Sequence, residues 1–333
     1  MKGRQILLGE VAGREAAALI VDGVLDDLIV DSDAARPGAI YRARANRPVK
    51  GQGGFFLDMP DGSAFLRGGK GIAPGDRLLV QVTGHAEPEK ATPVTTKLLF
   101  KSRYAIVTPD APGVNISRSI RDEEMRLTIR AAAETELAES CGFGIILRSA
   151  CAGADADAIA GDVDAMIGLA QAILDDGGTE PEKLLEGPGP HELAWRDWPE
   201  AEVGDEAIDD WLASATRPDI PLPSGASMQV EPTRALVAVD VNTGADTSPA
   251  TGLKANIAAA RALPRALRVR GLGGQIVVDF APMPKKDRPR LESVLRAAFR
   301  DDDTETALIG WTTMGHYELN RKRARAPLHE ILR

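Results

Sequence analysis

The chain has 333 residues, of which 44% are hydrophobic and 27% are charged, and it carries a formal net charge of −9. This length suits two or three domains, and this composition is typical of a soluble globular protein. The two cysteines and the lack of a signal-peptide core or an apolar stretch of membrane-spanning length argue against a disulfide framework, a cysteine-rich zinc site and a membrane protein, so we expect a cytoplasmic location.

The first 31 residues have the pattern of three short strands. Ile6–Leu8 is the first, and Ala16–Val21 and Val24–Val30 flank the pair Asp22-Gly23, which is a strong hairpin signal. Because so short a meander cannot bury a core alone, we expect it to pack on a later segment.

From Pro37 to about Phe100 the sequence predicts a small barrel. Five short strand candidates, separated by turns rich in glycine and proline, are typical of an OB-fold. They are Ala39–Ala45, Gly54–Asp58, Ser63–Leu66, Arg77–Thr83 and Val94–Phe100.

Three aromatic residues, Phe55, Phe56 and Phe65, lie within eleven residues of this barrel. In such barrels the second and third strands stack nucleic-acid bases on aromatic rings. The alternative is that these rings belong to the core, and the sequence leaves both readings open.

The next region, up to residue 176, mixes strands and helices. Ile106–Val107 and Gly144–Leu147 read as strands, and helices are predicted from about Asp122 to Ser140 and over residues 154–176. The second strand runs into Arg148 and Ser149, and an arginine and a hydroxyl at a strand end can hold a phosphate by charge-assisted hydrogen bonds. An isolated Arg-Ser pair is common, so the signal is weak by itself.

Two apolar runs later in the chain each end in an aspartate. Leu236–Val239 is followed by Asp240, and Ile276–Val278 by Asp279. Aspartate is depleted in strands and costly to bury unpaired, so its repetition here indicates a shared purpose. The alternative for each aspartate alone is a cap for the following turn.

The intervening segment, Leu253–Arg270, reads as a helix that is kinked or split at Pro264. A strand–helix–strand crossover makes the two strands parallel, so Asp240 and Asp279 emerge at one edge of the sheet, with Asn242 close by. Carboxylate oxygens there suit Mg²⁺, or Mn²⁺ in its place.

Charge is distributed unevenly along the chain. Residues 150–232 hold 19 acidic and 3 basic residues, whereas residues 254–333 hold 16 basic and 9 acidic ones. The basic excess accompanies the predicted metal site, where a polyanion would be held, although a charged run is also typical of a merely solvated face. It includes Trp311–Arg325, in which His316 is a candidate general base, although a single histidine in a basic helix more often has no such role.

Taken in order, these segments resemble the catalytic half of the ribonuclease E/G family of endoribonucleases over nearly the whole chain. The stretches that carry the resemblance are EAAALIVDGVL, RYAIVTPDAPGVNISRSI, GFGIILRSA, LPSGASMQVEPTRALVAVDVNTG, LRVRGLGGQIVVDF and GHYELNRKR. Each is weak alone, and the ordered series is specific.

The resemblance implies a fold and a domain order. The expected architecture is an α+β chain in which an RNase H-like subdomain carries an inserted OB-fold barrel and a 5′-sensor region, followed by a DNase I-like α/β metal domain. The expected bounds are 1–34 and 177–232 for the two RNase H-like parts, 35–102 for the barrel, 103–176 for the sensor-like region and 233–333 for the catalytic domain.

Residue roles also follow from the resemblance. It implies that Asp240 and Asp279 hold a catalytic Mg²⁺ and that Asn242 orients the first of them. The sensor of a 5′-monophosphate corresponds to Arg148, Ser149 and Arg118, with the backbone near Ile106, and the RNA contacts of the barrel to Phe56, Phe65 and Lys90. If a metal is bound there, the negative charge that develops on the phosphate during cleavage would be stabilised by the metal and by nearby arginines. Arg321 and Arg323 are the candidates for this role.

The function implied is an Mg²⁺-dependent endoribonuclease that cleaves single-stranded RNA to 5′-phosphate and 3′-hydroxyl ends, in RNA processing such as rRNA maturation, or in decay. One alternative is an RNA-binding protein with little or no turnover. Another is a phosphoesterase acting on DNA or a small nucleotide, which leaves the barrel unexplained.

Some features depart from the family pattern. The zinc-link Cys-Pro-x-Cys that joins subunits has no counterpart, so we expect no zinc and a monomer or weak dimer. Residues 150–230 are shorter and more acidic than usual, and Thr313-Met314-Gly315 replaces a common Arg-Phe-Gly. Ser149 replaces a threonine but keeps the hydroxyl.

Overall fold

In the computed structural model the chain divides into two compact units, Met1–Ser32 with Glu200–Arg333, and Asp33–Pro199. The structure describes residues 3–49, 51, 53–87, 89–133, 142–198, 201–204, 207–245 and 248–333. Within these ranges, no helix has both the length and the apolar character needed to cross a membrane.

The chain begins with an antiparallel meander, β1 (Arg4–Val11), β2 (Arg14–Val21) and β3 (Val24–Val30). The turn between β2 and β3 has φ of 50° at Asp22 and 76° at Gly23. Positive φ at both central residues is what a two-residue hairpin of the favoured twist requires. The predicted hairpin and all three predicted strands are therefore confirmed.

The second unit opens with a closed five-stranded barrel, which confirms the OB-like prediction. Strand β4 pairs with β5 and β7, and β8 completes the ring by pairing with β6 and β7. The strands are β4 (Ile40–Val49), β5 (Gly54–Met59), β6 (Gly62–Arg67), β7 (Arg77–Val82) and β8 (Thr92–Thr95). The last is shorter than predicted, because Phe100 belongs to the next sheet.

A four-stranded sheet follows the barrel in this unit, in the order β11-β12-β10-β9. Its strands are β9 (Phe100–Lys101), β10 (Ala105–Thr108), β11 (Gly113–Ile116) and β12 (Gly144–Leu147). Helices α1 (Glu123–Ala132) and α2 (Ala156–Leu174) pack on it, and Val107, Ile145 and Val163 lie in the shared core. The Asp122 carboxylate caps α1 by accepting from the Met125 N–H at 3.0 Å.

The predicted helix to Ser140 is observed as far as Ala132, and its remaining part lies outside the described residues. A 3₁₀ turn, Ser149–Cys151, comes between β12 and α2. The unit closes with β13 (Glu182–Leu185), which pairs with the barrel strand β4, and α3 (Pro190–Asp197).

The remaining elements complete the first unit. Strand β14 (Glu202–Val203) lies parallel to β1, and a second sheet has the order β15-β16-β17-β18-β20-β19. The other strands are β15 (Asp219–Pro221), β16 (Ser227–Pro232), β17 (Val237–Asn242), β18 (Gly274–Asp279), β19 (Thr306–Trp311) and β20 (Tyr317–Arg321). The helices are α4 (Asp209–Thr216), α5 (Pro249–Val269), α6 (Arg288–Arg300) and α7 (Leu328–Ile331). Two 3₁₀ turns, Pro223–Gly225 and Lys285–Asp287, lie between them.

One face of this six-stranded sheet carries the core and the other is open. Val239 and Val278 pack with Leu263 of α5 and Leu295 of α6. Residues two apart on a strand share a face, so the alternating sequence Val-Ala-Val-Asp-Val-Asn of β17 places its polar residues opposite the core. This alternation builds the surface on which the predicted metal residues lie.

The crossover β17-α5-β18 is observed, and α5 is continuous through Pro264, so the alternative of a helix split there is wrong. Trp311–Arg325 was also expected to be helical. It instead forms the β19–β20 hairpin, whose turn is closed by hydrogen bonds between Thr312 and His316.

Candidate functional site

The two predicted metal residues are direct neighbours. Strands β17 and β18 are parallel, and Asp240 is paired with Asp279 in their register. Their Cα atoms are therefore about 5 Å apart, which is the spacing of neighbouring strands. Both side chains are exposed on the open face of the sheet, so their carboxylates can converge on one ion.

Two further side chains complete the group. The Asn242 amide nitrogen donates to Asp240 Oδ2 at 2.7 Å, which orients that carboxylate. His316, in the β19–β20 turn, places Nε2 3.9 Å from Asp279 Oδ1. The sequence pattern identified Asp240, Asp279 and Asn242 as site residues. It gave His316 only as a weak candidate, because the segment of His316 was expected to be a helix.

The aspartates line a shallow depression of about 310 Å³ on the open sheet face. Its walls come from β16, β17, β18 and the β19–β20 turn. The lining residues are Gln229, Glu231, Leu236, Ala238, Val239, Asp240, Val277, Asp279 and His316.

The donor set fits a hard divalent cation held by few protein ligands. Among the residues described, no group of three or more histidine, cysteine or acidic side chains is arranged to hold a metal. Two carboxylates with the other coordination positions open to water and to phosphate oxygens are typical of Mg²⁺ sites. Asp240 and Asp279 are thus the residues that would hold Mg²⁺ or Mn²⁺.

The structure does not bring the two predicted arginines to these carboxylates. Arg321 is only 2% exposed and lies on the core face of β20, paired with Asp302 and donating to Thr306 Oγ1 at 3.0 Å. Burial lowers the pKa of Arg321, against the opposing effect of Asp302.

The guanidinium of Arg323 packs against the backbone of Gly274. A Cβ atom added to Gly274 would lie only 2.0 Å from Arg323 Nη1. Gly274 begins β18 and Asp279 ends it, so the two positions are about 16 Å apart at strand spacing. Arg323 therefore lies at the far end of the sheet from the aspartates.

The barrel separates the three phenylalanines. Phe55 is buried in the barrel core, whereas Phe56 and Phe65 lie side by side on the outer face of β5 and β6. Their ring centroids are 5.8 Å apart, and the Arg47 guanidinium lies 5.4 Å from the Phe56 centroid. A Cβ atom at Gly54 would lie 2.7 Å from the Phe65 ring. The lack of a side chain at Gly54 therefore leaves room for that ring to lie over β5.

The other predicted RNA contact of the barrel, Lys90, lies in the loop between β7 and β8. Its side chain is exposed and forms an ion pair with Glu87.

The predicted phosphate-sensing residues share one edge of the β11-β12-β10-β9 sheet. Arg148 and Ser149 follow β12, and the exposed Arg118 follows the parallel neighbour β11. The Arg148 guanidinium lies against the β9–β10 turn and the end of α3. There it donates to the carbonyl oxygen of Ser102 at 2.5 Å and to Asp197 Oδ1 at 2.7 Å.

Asp197 is bound by three cations. Arg148 Nη2 and Lys101 Nζ lie 2.7 and 3.1 Å from its Oδ1, and Arg196 Nη2 lies 2.9 Å from its Oδ2. Burial acts to raise the pKa of this carboxyl, but the hydrogen bond and charge of Arg196, with Lys101 and Arg148, outweigh it and hold the pKa well below its ordinary value. Nothing in the sequence pattern indicated that Asp197 would meet Arg148.

Comparison with known proteins identifies relatives of this chain. The Ribonuclease E/G family model matches residues 100–211 and 200–324. Ribonuclease E of Nostoc sp. is 26% identical, across 98% of this chain and 57% of its own length. Ribonuclease G of Escherichia coli (strain K12) is 26% identical across 98% and 81%, and ribonuclease G of Haemophilus influenzae is 25% identical across 100% and 82%. The chain thus spans little more than half the length of the ribonuclease E that it matches.

Proposed function

Because the chain belongs to the ribonuclease E/G family, we propose that it is an Mg²⁺-dependent endoribonuclease that cleaves single-stranded RNA to 5′-phosphate and 3′-hydroxyl ends. The observation that carries this proposal is the pairing of Asp240 with Asp279 across parallel strands on an open sheet face. The biological setting we propose is RNA processing, including rRNA maturation, or decay.

The residues in and beside the depression have different roles. Asp240 and Asp279 hold the cation, and Asn242 keeps the Asp240 carboxylate in position through its 2.7 Å hydrogen bond. A bound Mg²⁺ or Mn²⁺ supplies a water of lowered pKa and polarises a phosphate oxygen. His316 Nε2, beside Asp279, is placed to exchange a proton or a hydrogen bond with an oxygen of the scissile phosphate.

The substrate preference follows from the barrel. Phe56 and Phe65 present ring faces and edges on its outside, with the positive charge of Arg47 beside them. Bases can stack on such rings only where they are not stacked in a duplex. Single-stranded segments are therefore the substrate we propose.

We also propose the family's subdomain assignments. The sheet containing β17 and β18 corresponds to the DNase I-like part from residue 233, and the β11-β12 region to the sensor-like part. The meander β1–β3, which shares a core with α4, supports an RNase H-like part. The unit bounds favour a start for its second segment after residue 199.

The decisive experiment is cleavage of a short single-stranded RNA with and without Mg²⁺ by the wild type and by Asp240→Asn and Asp279→Asn. We expect each substitution to lower the rate by more than about 100-fold, since even residues that only orient metal ligands are worth 10 to 100-fold. Asp301→Asn, an exposed carboxylate remote from the depression, is the matched control and should keep the wild-type rate.

Binding of Mn²⁺, followed by electron paramagnetic resonance, gives a readout apart from activity, and both aspartate variants should lose it. Tight RNA binding without any cleavage by the wild type would replace the proposal with the binding-protein alternative. Cleavage that persists without a divalent cation would refute the metal assignment.

A further inference from the structure

Arg288, the first residue of α6, lies over an aromatic ring beside the candidate site. Its guanidinium carbon is 4.1 Å from the centroid of the Trp311 ring, and its side chain is half-buried. Guanidinium groups pack on aromatic faces because they are planar, delocalised and weakly hydrated. The Trp311 ring therefore supports the guanidinium and limits its movement.

Trp311 is itself held by three neighbours. Its indole Nε1 donates to Glu292 Oε1 at 2.8 Å, one turn along α6 from Arg288. Its ring centroid is 5.2 Å from that of the buried Tyr317, in an edge-to-face arrangement, and 5.8 Å from that of Phe280. The ring on which Arg288 rests is therefore a fixed part of the sheet, and the guanidinium has a defined place.

The N–H donors of Arg288 have no acceptor in the part of the chain that the structure describes. There Arg288 makes no ion pair and no hydrogen bond, whereas Arg268, Arg321 and Arg325 of the same unit each bind a carboxylate. A guanidinium has five such donors in a rigid fork, and a phosphate can accept from this fork through two oxygens at once. Arg288 is thus positioned as a phosphate-binding group.

The β19–β20 turn connects Arg288 to the candidate metal site. A Cβ atom added to Gly315, in this turn, would lie 3.6 Å from Arg288 Nη2. The next residue, His316, places its Nε2 3.9 Å from Asp279 Oδ1. Arg288 and Asp279 therefore flank the same turn, at the edge of the sheet where β18 ends.

The guanidinium and the aspartates lie on different sides of this edge. Trp311 is paired with Tyr317 across β19 and β20, and Tyr317 is paired with Val278 of β18. Trp311 is therefore two strand spacings, or about 10 Å, from the end of β18. It packs on the core face, whereas Asp279 is on the open face. An RNA strand with one phosphate at the aspartates would meet Arg288 with another phosphate of its backbone.

We propose that Arg288 binds a backbone phosphate that flanks the scissile phosphate, and so sets where the RNA strand lies across the sheet edge. Arg288 is then a substrate-binding residue of the proposed endoribonuclease, a function on which this inference rests. It has the role that Arg321 and Arg323 do not have, since the first is buried and the second is at the far end of the sheet. A backbone contact of this kind fixes position and carries no base preference.

The test removes the charge of one phosphate at a time. A single-stranded RNA with one cleavage site is prepared with a neutral methylphosphonate at each linkage that flanks the site, and kcat/KM is measured for each RNA. For the wild type we expect one of these replacements to lower kcat/KM at least about tenfold, the lower end of what a hydrogen bond to a charged group contributes. In Arg288→Ala the same replacement should change kcat/KM by less than about twofold, because both changes remove one interaction.

Arg300→Ala is the matched control, because it removes one positive charge from the other end of α6, about 18 Å away along the helix. It should keep the wild-type response to every methylphosphonate. Arg288→Lys is a second variant in case the packing around Trp311 does not tolerate alanine. It keeps the charge without the fork, so we expect a response between those of the wild type and Arg288→Ala. Thermal unfolding shows which variants are folded.

A binding measurement separates this inference from the proposed function. With Mg²⁺ omitted, fluorescence anisotropy of a labelled single-stranded RNA at several salt concentrations gives the slope of log affinity against log salt concentration. Each phosphate contact on a single strand contributes about 0.7 to the magnitude of this slope, so Arg288→Ala should reduce it by about 0.7. If no variant cuts RNA, the proposed function fails while the slope still decides whether Arg288 binds a phosphate.

Two results would overturn the inference. One is a folded Arg288→Ala variant that keeps the wild-type salt slope. The other is an Arg288→Ala variant whose kcat/KM falls but whose response to every methylphosphonate stays that of the wild type, because Arg288 would then only support Trp311.

Discussion

At the scale of single residues, binding of a cation depends on how the carboxylates of Asp240 and Asp279 are oriented at the surface. Asp240 and Asp279 are exposed, and nothing in the core restricts their rotation. The hydrogen bond from Asn242 is therefore the contact that fixes the first of them, and it does so from two residues along the same strand face. An orienting contact of this kind lowers the entropy lost when a cation binds.

We expect Asn242→Ala to raise the Mg²⁺ concentration for half-maximal cleavage by about 10-fold, because outer contacts of metal ligands are typically worth 10 to 100-fold in affinity. The measurement is a Mg²⁺ titration of the cleavage rate. Gln275→Ala, on the same sheet face but near the other end of β18, is the control and should leave the titration midpoint unchanged. A lower maximal rate with an unchanged midpoint would instead assign Asn242 to the substrate.

The pattern predicted Asp240, Asp279 and Asn242 because a strand–helix–strand crossover fixes which strand ends meet. Side-chain direction across the rest of the sheet was not predictable in that way. Arg321 stands on the core face of β20 because that strand alternates from the buried Tyr317. His316 approaches Asp279 only because its segment is a hairpin turn, and a basic run gives no signal for that.

At the scale of elements, the barrel sorts neighbouring aromatic residues onto opposite faces. Strand periodicity puts Phe55 inside with Leu57, and Phe56 outside beside Phe65 of the next strand. The rings meet edge to face at 63°, so each supports the other in a half-buried position on the outer face. This pair is the surface that we expect to hold unstacked bases.

Phe56→Ala combined with Phe65→Ala should weaken binding of single-stranded RNA while leaving the barrel folded. Stacking is worth about 1–3 kcal/mol per base, so a loss of at least about 10-fold in affinity is expected. Fluorescence anisotropy with a labelled oligonucleotide measures it. Leu127→Ala, which removes an exposed apolar side chain from α1, is the control. Unchanged affinity in the double variant would show that this face of the barrel does not bind the RNA.

Turn chemistry explains why the elements at the start of the chain were predictable. Asp22-Gly23 demands a two-residue hairpin, and glycine and proline mark the bends between barrel strands. The segment Trp311–Arg325 has no such marker apart from Gly315, and its polar residues suit a helix as well as a strand. Only pairing with β18 and β19 makes β20 a strand, and pairing is a property of distant residues.

At the scale of the whole molecule, the first unit is assembled from both ends of the chain, and a network of ion pairs connects them. Asp302, after α6, is paired with Arg268 of α5 and with Arg321 of β20. Arg268 also reaches Asp26 of β3 at 2.9 Å, and Arg325 reaches Asp27 at 2.6 Å. The amino-terminal meander is thereby joined to the sheet that carries the depression.

Asp302 is the centre of this network, with its side chain 1% exposed. We expect Asp302→Asn to lower the free energy of unfolding by about 3–5 kcal/mol, because it leaves two largely buried guanidinium groups without their shared carboxylate. Urea denaturation measures this loss. Asp303→Asn, on an exposed neighbour, should change stability by less than about 0.5 kcal/mol.

The same variant tests what Arg321 does. If the Arg321–Asp302 pair only supports the fold, Asp302→Asn will lose stability but keep its cleavage rate per folded molecule at low temperature. A reduced rate per folded molecule would show instead that the network also holds the sheet in the form that the reaction needs. Arg321 would then act only through the sheet, because it is buried on the core face, at the opposite end of β18 from Asp279.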